Sequence, residues 1–193
     1  MGCPLSKFQA LWDKALDKSP LEHKSAVCVS TISEHGFPHG RFVDLKAVTD
    51  QGFVFCTHLS SQKGLDIGRD SRIALTAWWD HIGLQVRVSG YAEKLDEEVA
   101  KQYWLQRSRD AQITTVSCQQ SQPVESEVKL IEQFNQSQQK FDSVASIPKP
   151  HDWGGYVIKP VSIEFLSFKQ SRLHTRELYE NRRQGWQKSL LQP

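Results

Sequence analysis

Cysteine is scarce in this chain and is arranged neither for metal binding nor for cross-linking. The 193 residues contain four cysteines, widely spaced and without a C-x-x-C pair: Cys3, Cys28, Cys56 and Cys118. Zinc sites and the disulfide frameworks of small secreted domains usually depend on closely spaced cysteines. We therefore expect no metal site, no disulfide and a reducing, cytoplasmic location.

The chain also lacks a long apolar run and a strong charge of one sign. No segment approaches the ~20 apolar residues of a membrane-spanning helix, and Lys7, Asp13 and Lys14 interrupt any signal-peptide-like start. The formal net charge of +2 is too small to indicate bulk nucleic-acid binding. With 38% hydrophobic and 24% charged residues, the chain has an ordinary globular composition, so we expect one domain over residues 1–193.

The first six residues, Met1-Gly2-Cys3-Pro4-Leu5-Ser6, fit the short M-G-x-x-x-[ST] pattern of N-myristoylation. Cys3 would then be a candidate for palmitoylation. Because the pattern is degenerate, chance occurrence is the simpler interpretation, and acylation of Gly2 or Cys3 stays open.

What is present is a succession of short β-type segments separated by turn residues. Apolar or alternating runs predict strands over 26–32, 41–46, 53–58, 73–79 and 84–91, a further β section from Trp153, and a short last strand near Trp186. Many consecutive strands with few helices between them favour a closed antiparallel barrel over a parallel α/β sheet. The absence of G-x-G-x-x-G and G-x-x-x-x-G-K-[ST] motifs also disfavours Rossmann and P-loop phosphate sites.

Helices are expected at the start and in the middle of the chain. Apolar residues at helical spacing predict an amphipathic helix over about 5–18. Ser61 could cap a short helix, and Asp96 is a good N-cap for a longer one. Helical spacing recurs over 128–134, so we expect a helical insertion over about 96–140.

The segment from Arg172 to Arg176 places three potentially positive side chains at alternating positions. In an extended strand, Arg172, His174 and Arg176 would project from one face, and Leu173 would pack on the other. Such a face suits an anionic, planar ligand, because guanidinium groups fork phosphates and stack on rings. The alternative is an exposed edge strand of solvated charges.

Other polar residues could contribute to a site, although each has an ordinary structural explanation. Between Thr57 and Lys63, hydroxyls and an ammonium stand where a strand runs into a helix, a suitable place for a phosphate. Lys63 could equally be a surface helix residue. Arg41 and Lys46 could be edge-strand charges, and Gln85 a solvated strand start.

A last polar set surrounds a predicted helix end and comprises Tyr103, Arg107, Gln120 and Ser121. Tyr103 could equally be a half-buried core aromatic. Arg107 could be a partner for the helix dipole.

Taken in order along the chain, these elements resemble the pyridoxamine 5'-phosphate oxidase family. The matching segments are Arg-Phe-Val-Asp-Leu-Lys, Phe-Cys-Thr-His-Leu-Ser-Ser-Gln-Lys, Gln-Val-Arg-Val-Ser-Gly, Gln-Gln-Ser, Trp-Gly-Gly-Tyr, Ile-Glu-Phe and Ser-Arg-Leu-His-Thr-Arg. The resemblance runs from about Ala26 to the C-terminus, and its last element is the most specific. It implies a mainly β protein with flanking helices (α+β), an FMN-binding antiparallel split β-barrel. It also implies a homodimer with the flavin at the subunit interface.

The resemblance also implies roles for individual residues. The FMN-contacting positions would be Arg41, Lys46, Thr57, Lys63, Gln85, Gln120, Ser121 and Arg176. The substrate-binding positions would be Lys46, Tyr103 and Arg107 at the substrate phosphate, with Arg172 and His174, the catalytic pair, at the pyridine ring. The implied reaction oxidises pyridoxamine or pyridoxine 5'-phosphate to pyridoxal 5'-phosphate by hydride transfer to FMN, with O2 as the final acceptor.

Several positions depart from the family pattern. Gln62 replaces an arginine of the family pattern, Leu166 a tryptophan, Cys56 a tyrosine and Ala111 a serine. No match for the family's N-terminal basic segment precedes Phe8. Each lost charge-assisted hydrogen bond costs ~1.5–3 kcal/mol, so the FMN affinity or the substrate could differ. Two alternatives therefore stay open: an FMN-dependent oxidoreductase of the same fold acting on another small molecule, such as those of phenazine biosynthesis, or a non-catalytic flavin-binding protein.

Overall fold

Eight strands form one sheet in the computed structural model, which describes residues 3–193. They are β1 (Ala26–Ile32), β2 (Pro38–Val48), β3 (Phe53–His58), β4 (Arg72–Trp79), β5 (Leu84–Lys94), β6 (Trp153–Ser167), β7 (Thr175–Arg182) and β8 (Gly185–Leu191). Their spatial order is β3-β2-β1-β4-β5-β6-β7-β8, and an additional pairing of β3 with β6 closes the first six strands into a barrel. The predicted antiparallel split barrel is therefore confirmed.

The strands form because apolar side chains recur at every second position. In β5 the buried residues alternate with more exposed ones from Leu84 to Ala92, which is the side-chain period of a strand with one face on a core. Gly90 has a further requirement, because a Cβ there would lie 2.2 Å from the carbonyl oxygen of Lys159. Only glycine permits this close approach of β5 to β6.

Five α-helices accompany the sheet within the described residues. They are α1 (Pro4–Lys18), α2 (Gln62–Arg69), α3 (Glu97–Leu105), α4 (Arg109–Ser117) and α5 (Glu127–Phe141). Asp96 caps α3 as predicted, since its side chain accepts a hydrogen bond from the backbone N–H of Glu98. Helix α4 was not predicted as a separate helix. Ser108 caps it by accepting a hydrogen bond from the N–H of Ala111.

The chain divides into two compact units. The barrel unit comprises the residues up to Phe55 together with Asp66–Glu93 and Tyr156–Pro193, and the helical unit comprises Cys56–Leu65 and Lys94–Gly155. In the barrel unit, the buried ring of Phe8 lies 4.7 Å from that of Phe53 and 5.3 Å from that of Trp79. In the helical unit, the core is formed by Trp104, Ile113, Ile147 and Trp153. The expectation of a single domain stays a prediction.

The predicted strand over Arg172–Arg176 is wrong in its first half. Arg172 has φ 59°, in the left-handed region. Its carbonyl oxygen accepts a hydrogen bond at 2.8 Å from the N–H of His174. The segment is thus a tight turn, β7 begins only at Thr175, and Leu173 is 66% exposed rather than packed. The alternating charges were misleading, because a strand on a core also needs apolar side chains packed at the intervening positions. Leu173, at the first of these positions, is exposed.

None of the helices in residues 3–193 is long and apolar enough to cross a membrane. No group of three or more histidine, cysteine, aspartate or glutamate side chains in that part of the chain is placed to hold a metal ion. Gly2, the acceptor of the myristoylation pattern, lies outside the described residues.

Candidate cofactor and substrate site

The helical unit places two of the predicted cofactor residues, Thr57 and Gln120, around the buried ammonium group of a third, Lys63. The Nζ atom of Lys63 donates to the hydroxyl of Thr57 at 3.1 Å and to the amide oxygen of Gln120 at 3.2 Å. Thr57 also donates to Gln120 at 3.1 Å, and Lys63 is only 6% exposed. A buried ammonium group that contacts hydroxyl and amide oxygens is suited to binding an anion.

The turn from β3 into α2 explains why these groups meet. The hydroxyl of Ser61 donates to the carbonyl oxygen of His58 at 2.7 Å, and the Ser61 carbonyl accepts from the N–H of Leu65 at 2.9 Å. Ser61 therefore starts the helix, as its sequence position predicted. Gly64 is required in the first turn, because a Cβ there would lie 2.1 Å from the carbonyl oxygen of Leu59.

Ser121 reaches the same helix end from the segment that follows α4. Its φ is 72°, a left-handed conformation that few non-glycine residues adopt. Its hydroxyl accepts a hydrogen bond at 3.2 Å from the N–H of Gln62, the first residue of α2. Ser121 thus satisfies the backbone N–H at the positive end of this helix.

Arg107 is held between two aromatic rings and two oxygens of the helical unit. The guanidinium carbon lies 5.3 Å from the ring centre of Trp153 and 5.8 Å from that of Trp104. Its Nη2 atom donates at 3.0 Å to both the carbonyl of Ala111 and the hydroxyl of Thr115. These contacts fix its orientation.

Tyr103 lies on α3 and is half-buried. Burial raises the pKa of its phenol, and the nearby thiol of Cys56 raises it further. The hydroxyl therefore stays protonated at neutral pH and can donate a hydrogen bond.

Both predicted cations on β2 are paired with carboxylates of the barrel unit. Arg41 donates to the hydroxyl of Thr31 at 2.8 Å, and its Nη2 lies 3.6 Å from the fully buried Asp66. Burial lowers the pKa of Arg41, and Asp66 opposes that effect. Lys46 forms an ion pair with Asp44. Asp66 was not among the predicted site residues, because its position in a short helix carries no signal of an arginine partner.

Gln85 and Arg176 lie on neighbouring parts of the same sheet, on β5 and β7. Gln85 stands directly opposite Trp78 of β4, and Arg176 opposite Leu166 of β6. The Nε atom of Arg176 donates to the carboxylate of Glu164 at 2.7 Å. Leu166, where the family has tryptophan, is thus the cross-strand neighbour of this arginine.

Glu164 is almost completely buried and has a second arginine partner. Arg87 approaches its other carboxylate oxygen at 3.4 Å. From the sequence, Glu164 was identified only as part of the Ile-Glu-Phe motif. Its structural role is to orient Arg176. The motif was the only feature of the sequence that could have pointed to this role.

The turn that carries Arg172 also fixes the ring of His174. The Nδ1 atom of His174 accepts a hydrogen bond at 3.0 Å from the N–H of Lys169, so the neutral ring carries its proton on Nε2. The ring lies 5.7 Å from that of Phe168, which in turn lies 4.8 Å from Trp78. The Arg172 side chain is exposed beside it.

The chain matches two sequence models of known families. Residues 14–138 match "Pyridoxamine 5'-phosphate oxidase", and residues 153–193 match "Pyridoxine 5'-phosphate oxidase C-terminal dimerisation region". The second match contains Arg172, His174 and Arg176.

Curated relatives and solved structures are similar over nearly the whole chain. The pyridoxine/pyridoxamine 5'-phosphate oxidase of Shewanella oneidensis is 37% identical over 98% of this chain and 89% of its own length. That of Vibrio cholerae is 36% identical with the same coverage. The structure of PhzG from Burkholderia lata, solved with tetrahydrophenazine-1-carboxylic acid, has a TM-score of 0.91 at 25% identity and covers 98% of this chain and 92% of that one.

A further structure shows the fold alone. The pyridoxamine 5'-phosphate oxidase-related, FMN-binding protein of Nostoc punctiforme is 14% identical, with a TM-score of 0.79 and full coverage of both chains. Together with the family matches and the identities above 30%, it agrees with the barrel architecture. The chain therefore belongs to the pyridoxamine 5'-phosphate oxidase family of oxidoreductases.

Proposed function

We propose that the chain is an FMN-dependent oxidase that converts pyridoxamine or pyridoxine 5'-phosphate to pyridoxal 5'-phosphate with O2 as the electron acceptor. The observation that carries the proposal is the buried ammonium of Lys63, which lies among hydroxyl and amide oxygens at the start of α2. The names of the Shewanella and Vibrio relatives support the substrate, and the Nostoc protein's title supports the cofactor.

The donor groups around Lys63 fit the phosphate of FMN. They comprise one ammonium, the hydroxyls of Thr57 and Ser61, and the N–H of Gln62 at the helix start. These groups now donate to one another or to nearby oxygens, and a bound phosphate would replace those acceptors. A phosphate monoester accepts several such bonds at once, most strongly from a cation. Because Gln62 replaces an arginine, we propose an affinity below that of a chain with both cations.

The remaining cofactor contacts are proposed from the family pattern. Gln120 and Ser121 would complete the phosphate end, and Arg41, Lys46, Gln85 and Arg176 would contact the rest of the flavin. Amide and guanidinium donors suit the polar edge of a flavin ring. Glu164 would keep Arg176 in its orientation through the 2.7 Å hydrogen bond.

For the substrate we propose Lys46, Tyr103 and Arg107 at the phosphate and Arg172 and His174 at the pyridine ring. Ala111 lacks the hydroxyl that the family provides near this phosphate. Thr115 lies one turn further along α4, and its hydroxyl is already 3.0 Å from the guanidinium of Arg107. This hydroxyl also donates to the carbonyl of Ala111 at 2.8 Å, so it helps to orient Arg107.

In this reaction bound FMN would accept a hydride from the substrate carbon and pass two electrons to O2, which yields hydrogen peroxide. The contribution of the chain is to orient that carbon through Arg172 and His174. Since Nδ1 of His174 accepts from Lys169, the neutral ring offers Nε2–H as a donor, which favours orientation over proton abstraction. From the alcohol, loss of a hydride and the hydroxyl proton leaves the aldehyde. From the amine it leaves an imine, which water hydrolyses to the aldehyde and ammonia.

We further propose that the chain works as a homodimer with the flavin at the subunit interface. The match of residues 153–193 to the family's dimerisation region supports this assembly. Since that region contains Arg176, a proposed flavin contact, and Arg172 and His174, proposed substrate contacts, dimerisation would be linked to the binding of both ligands.

A second candidate is an oxidoreductase of the same fold that acts on a different small molecule. The likeness to PhzG, whose structure holds a tricyclic carboxylic acid, favours it, as do Leu166 and Ala111 at positions where the family has larger or polar groups. A non-catalytic flavin-binding protein is the third.

Two measurements in sequence separate these candidates. Uptake of FMN with the visible spectrum of a bound flavin agrees with all three candidates, and a protein that fails to take up added FMN refutes all three. Formation of aldehyde and peroxide in equal amounts from pyridoxamine 5'-phosphate then supports the first. An FMN-loaded protein without that turnover is one of the other two.

A further inference from the structure

One aspartate outside the recognised motifs binds three consecutive residues of the loop between β3 and α2. The carboxylate of Asp152 accepts from the hydroxyl of Ser60 at 2.6 Å and lies 3.2 Å from Nδ1 of His58. Its backbone carbonyl accepts from the N–H of Leu59 at 2.6 Å. The conformation of residues 58–60 is therefore set from Asp152, although more than ninety positions separate it from that loop.

The same hydrogen bonds lead directly to the ammonium group of the candidate phosphate site. The carbonyl of His58 accepts from the hydroxyl of Ser61 at 2.7 Å. That hydroxyl in turn lies 3.3 Å from Nζ of Lys63 and 3.3 Å from the hydroxyl of Thr57. Asp152 touches neither Thr57 nor Lys63 in this network and can act on them only through the loop.

Packing around Leu59 holds the loop from two further directions. A Cβ on Gly154 would lie 3.4 Å from both terminal methyl groups of Leu59. A Cβ on Gly64 would lie 2.1 Å from the Leu59 carbonyl oxygen. Leu59 is thus packed against Gly154 and Gly64, in addition to the hydrogen bonds that Asp152 makes with the loop.

The charge state of Asp152 suits this role. Burial alone would raise the pKa of its carboxyl group, but hydrogen bonds from Ser60 and His58 lower it below the usual value. The group is therefore a carboxylate at neutral pH, which makes it a strong acceptor.

We propose that Asp152 is a positioning residue for the cofactor phosphate: it fixes residues 58–60 so that Thr57, Ser61 and Lys63 present their donors before the ligand arrives. The inference rests on the proposed function, because the phosphate concerned is that of FMN. A loop that is already ordered loses less conformational entropy on binding and so binds more tightly.

The test compares FMN with riboflavin, which has the same ring system and no phosphate. We expect Asp152→Ala to raise the dissociation constant for FMN about tenfold and that for riboflavin less than about twofold. Asp152→Asn keeps an oxygen that accepts from Ser60 and should restore most of the affinity. Asp142→Ala, at an exposed position after α5 in the same unit, is the control and should change neither constant.

The outcomes distinguish positioning from general support of the fold. An equal loss of affinity for both flavins, or an unchanged FMN affinity in Asp152→Ala, overturns the inference and leaves the proposed function intact. A wild-type chain that binds neither flavin overturns both. Should Asp152→Ala fail to fold, Ser60→Ala removes one of the same hydrogen bonds, and a selective weakening of FMN by a few-fold is then expected. No such weakening in Ser60→Ala would also overturn the inference.

Discussion

The ammonium of Lys63 lies 3.2 Å from the amide oxygen of Gln120, which is 57 positions further along the chain. This contact joins the first turn of α2 to the segment that follows α4. These two segments carry the Ser-Ser-Gln-Lys and Gln-Gln-Ser elements of the sequence, so the fold brings both elements to one candidate phosphate site.

Replacing Lys63 by alanine should weaken FMN binding about 10- to 100-fold, because a charge-assisted hydrogen bond to the phosphate is lost. A titration of the apoprotein followed by flavin fluorescence measures the change. Lys129→Ala removes a lysine of the same helical unit that is exposed and pairs with Glu132, and it should leave the affinity unchanged. Equal affinities in the Lys63→Ala protein and the wild type would remove Lys63 from the site.

Arg172→Ala should abolish turnover of pyridoxamine 5'-phosphate and leave FMN bound. Arginine and alanine meet the same strain at φ 59°, so the backbone of the turn is not expected to change. Production of aldehyde and peroxide measures activity, and the flavin spectrum measures retention of FMN. Arg183→Ala, at an exposed turn between β7 and β8, is the matched control. Loss of FMN from the Arg172 variant would contradict its assignment to the substrate.

Trp104→Phe should lower the free energy of unfolding by about 2–4 kcal/mol. The indole N–H donates to the carbonyl of Ile147 at 2.7 Å inside a core that is 1% exposed at both residues. Phenylalanine leaves that carbonyl without its partner and the core with a void. Denaturant unfolding gives the value, and Trp186→Phe, on β8 and half-buried, should stay within about 1 kcal/mol of the wild type. Equal losses in the two variants would show that the buried hydrogen bond contributes little.

Stability should decline in acid, and Glu177 should account for part of the decline. Burial alone would raise the pKa of Glu177, but hydrogen bonds from Lys188 and Lys7 lower it below the usual value. A carboxylate with a lowered pKa stabilises the fold above its unfolded pKa, and the contribution is lost as the pH falls through the folded value. Denaturant unfolding between about pH 6 and about pH 3 should show a shallower decline in Glu177→Gln than in the wild type. Parallel curves would exclude this carboxylate as a source of the acid sensitivity.

The barrel could be predicted from the sequence because strand periodicity and turn residues are local signals. The boundaries of β1, β3 and β4 agree with the apolar runs to within a residue. Helix α4 was missed because its Gln- and Thr-containing sequence buries few apolar side chains, mainly Ile113. Local patterns of this kind cannot show a helix whose position depends on contacts made elsewhere.

The candidate site could be predicted only where a motif carried it. Lys63, Gln120 and Ser121 stand in such motifs, and the structure brings them to one helix end. Arg172 was assigned to a strand because alternating charges resemble one. The turn geometry depends instead on its N–H, which donates to the carbonyl of Lys169, and on its carbonyl, which accepts from the N–H of His174. The carboxylates that orient other site residues, such as Asp152, act across long sequence separations, which no local pattern reveals.

The central claim is that this chain oxidises a phosphorylated B6 vitamer with FMN. Mixing the FMN-loaded protein with pyridoxamine 5'-phosphate in the absence of oxygen tests it most directly, with the visible flavin absorbance as the signal. The account predicts that the absorbance disappears, that about one pyridoxal 5'-phosphate forms per flavin, and that admitting oxygen restores the absorbance. A flavin whose absorbance stays unchanged in the presence of saturating substrate would contradict the account.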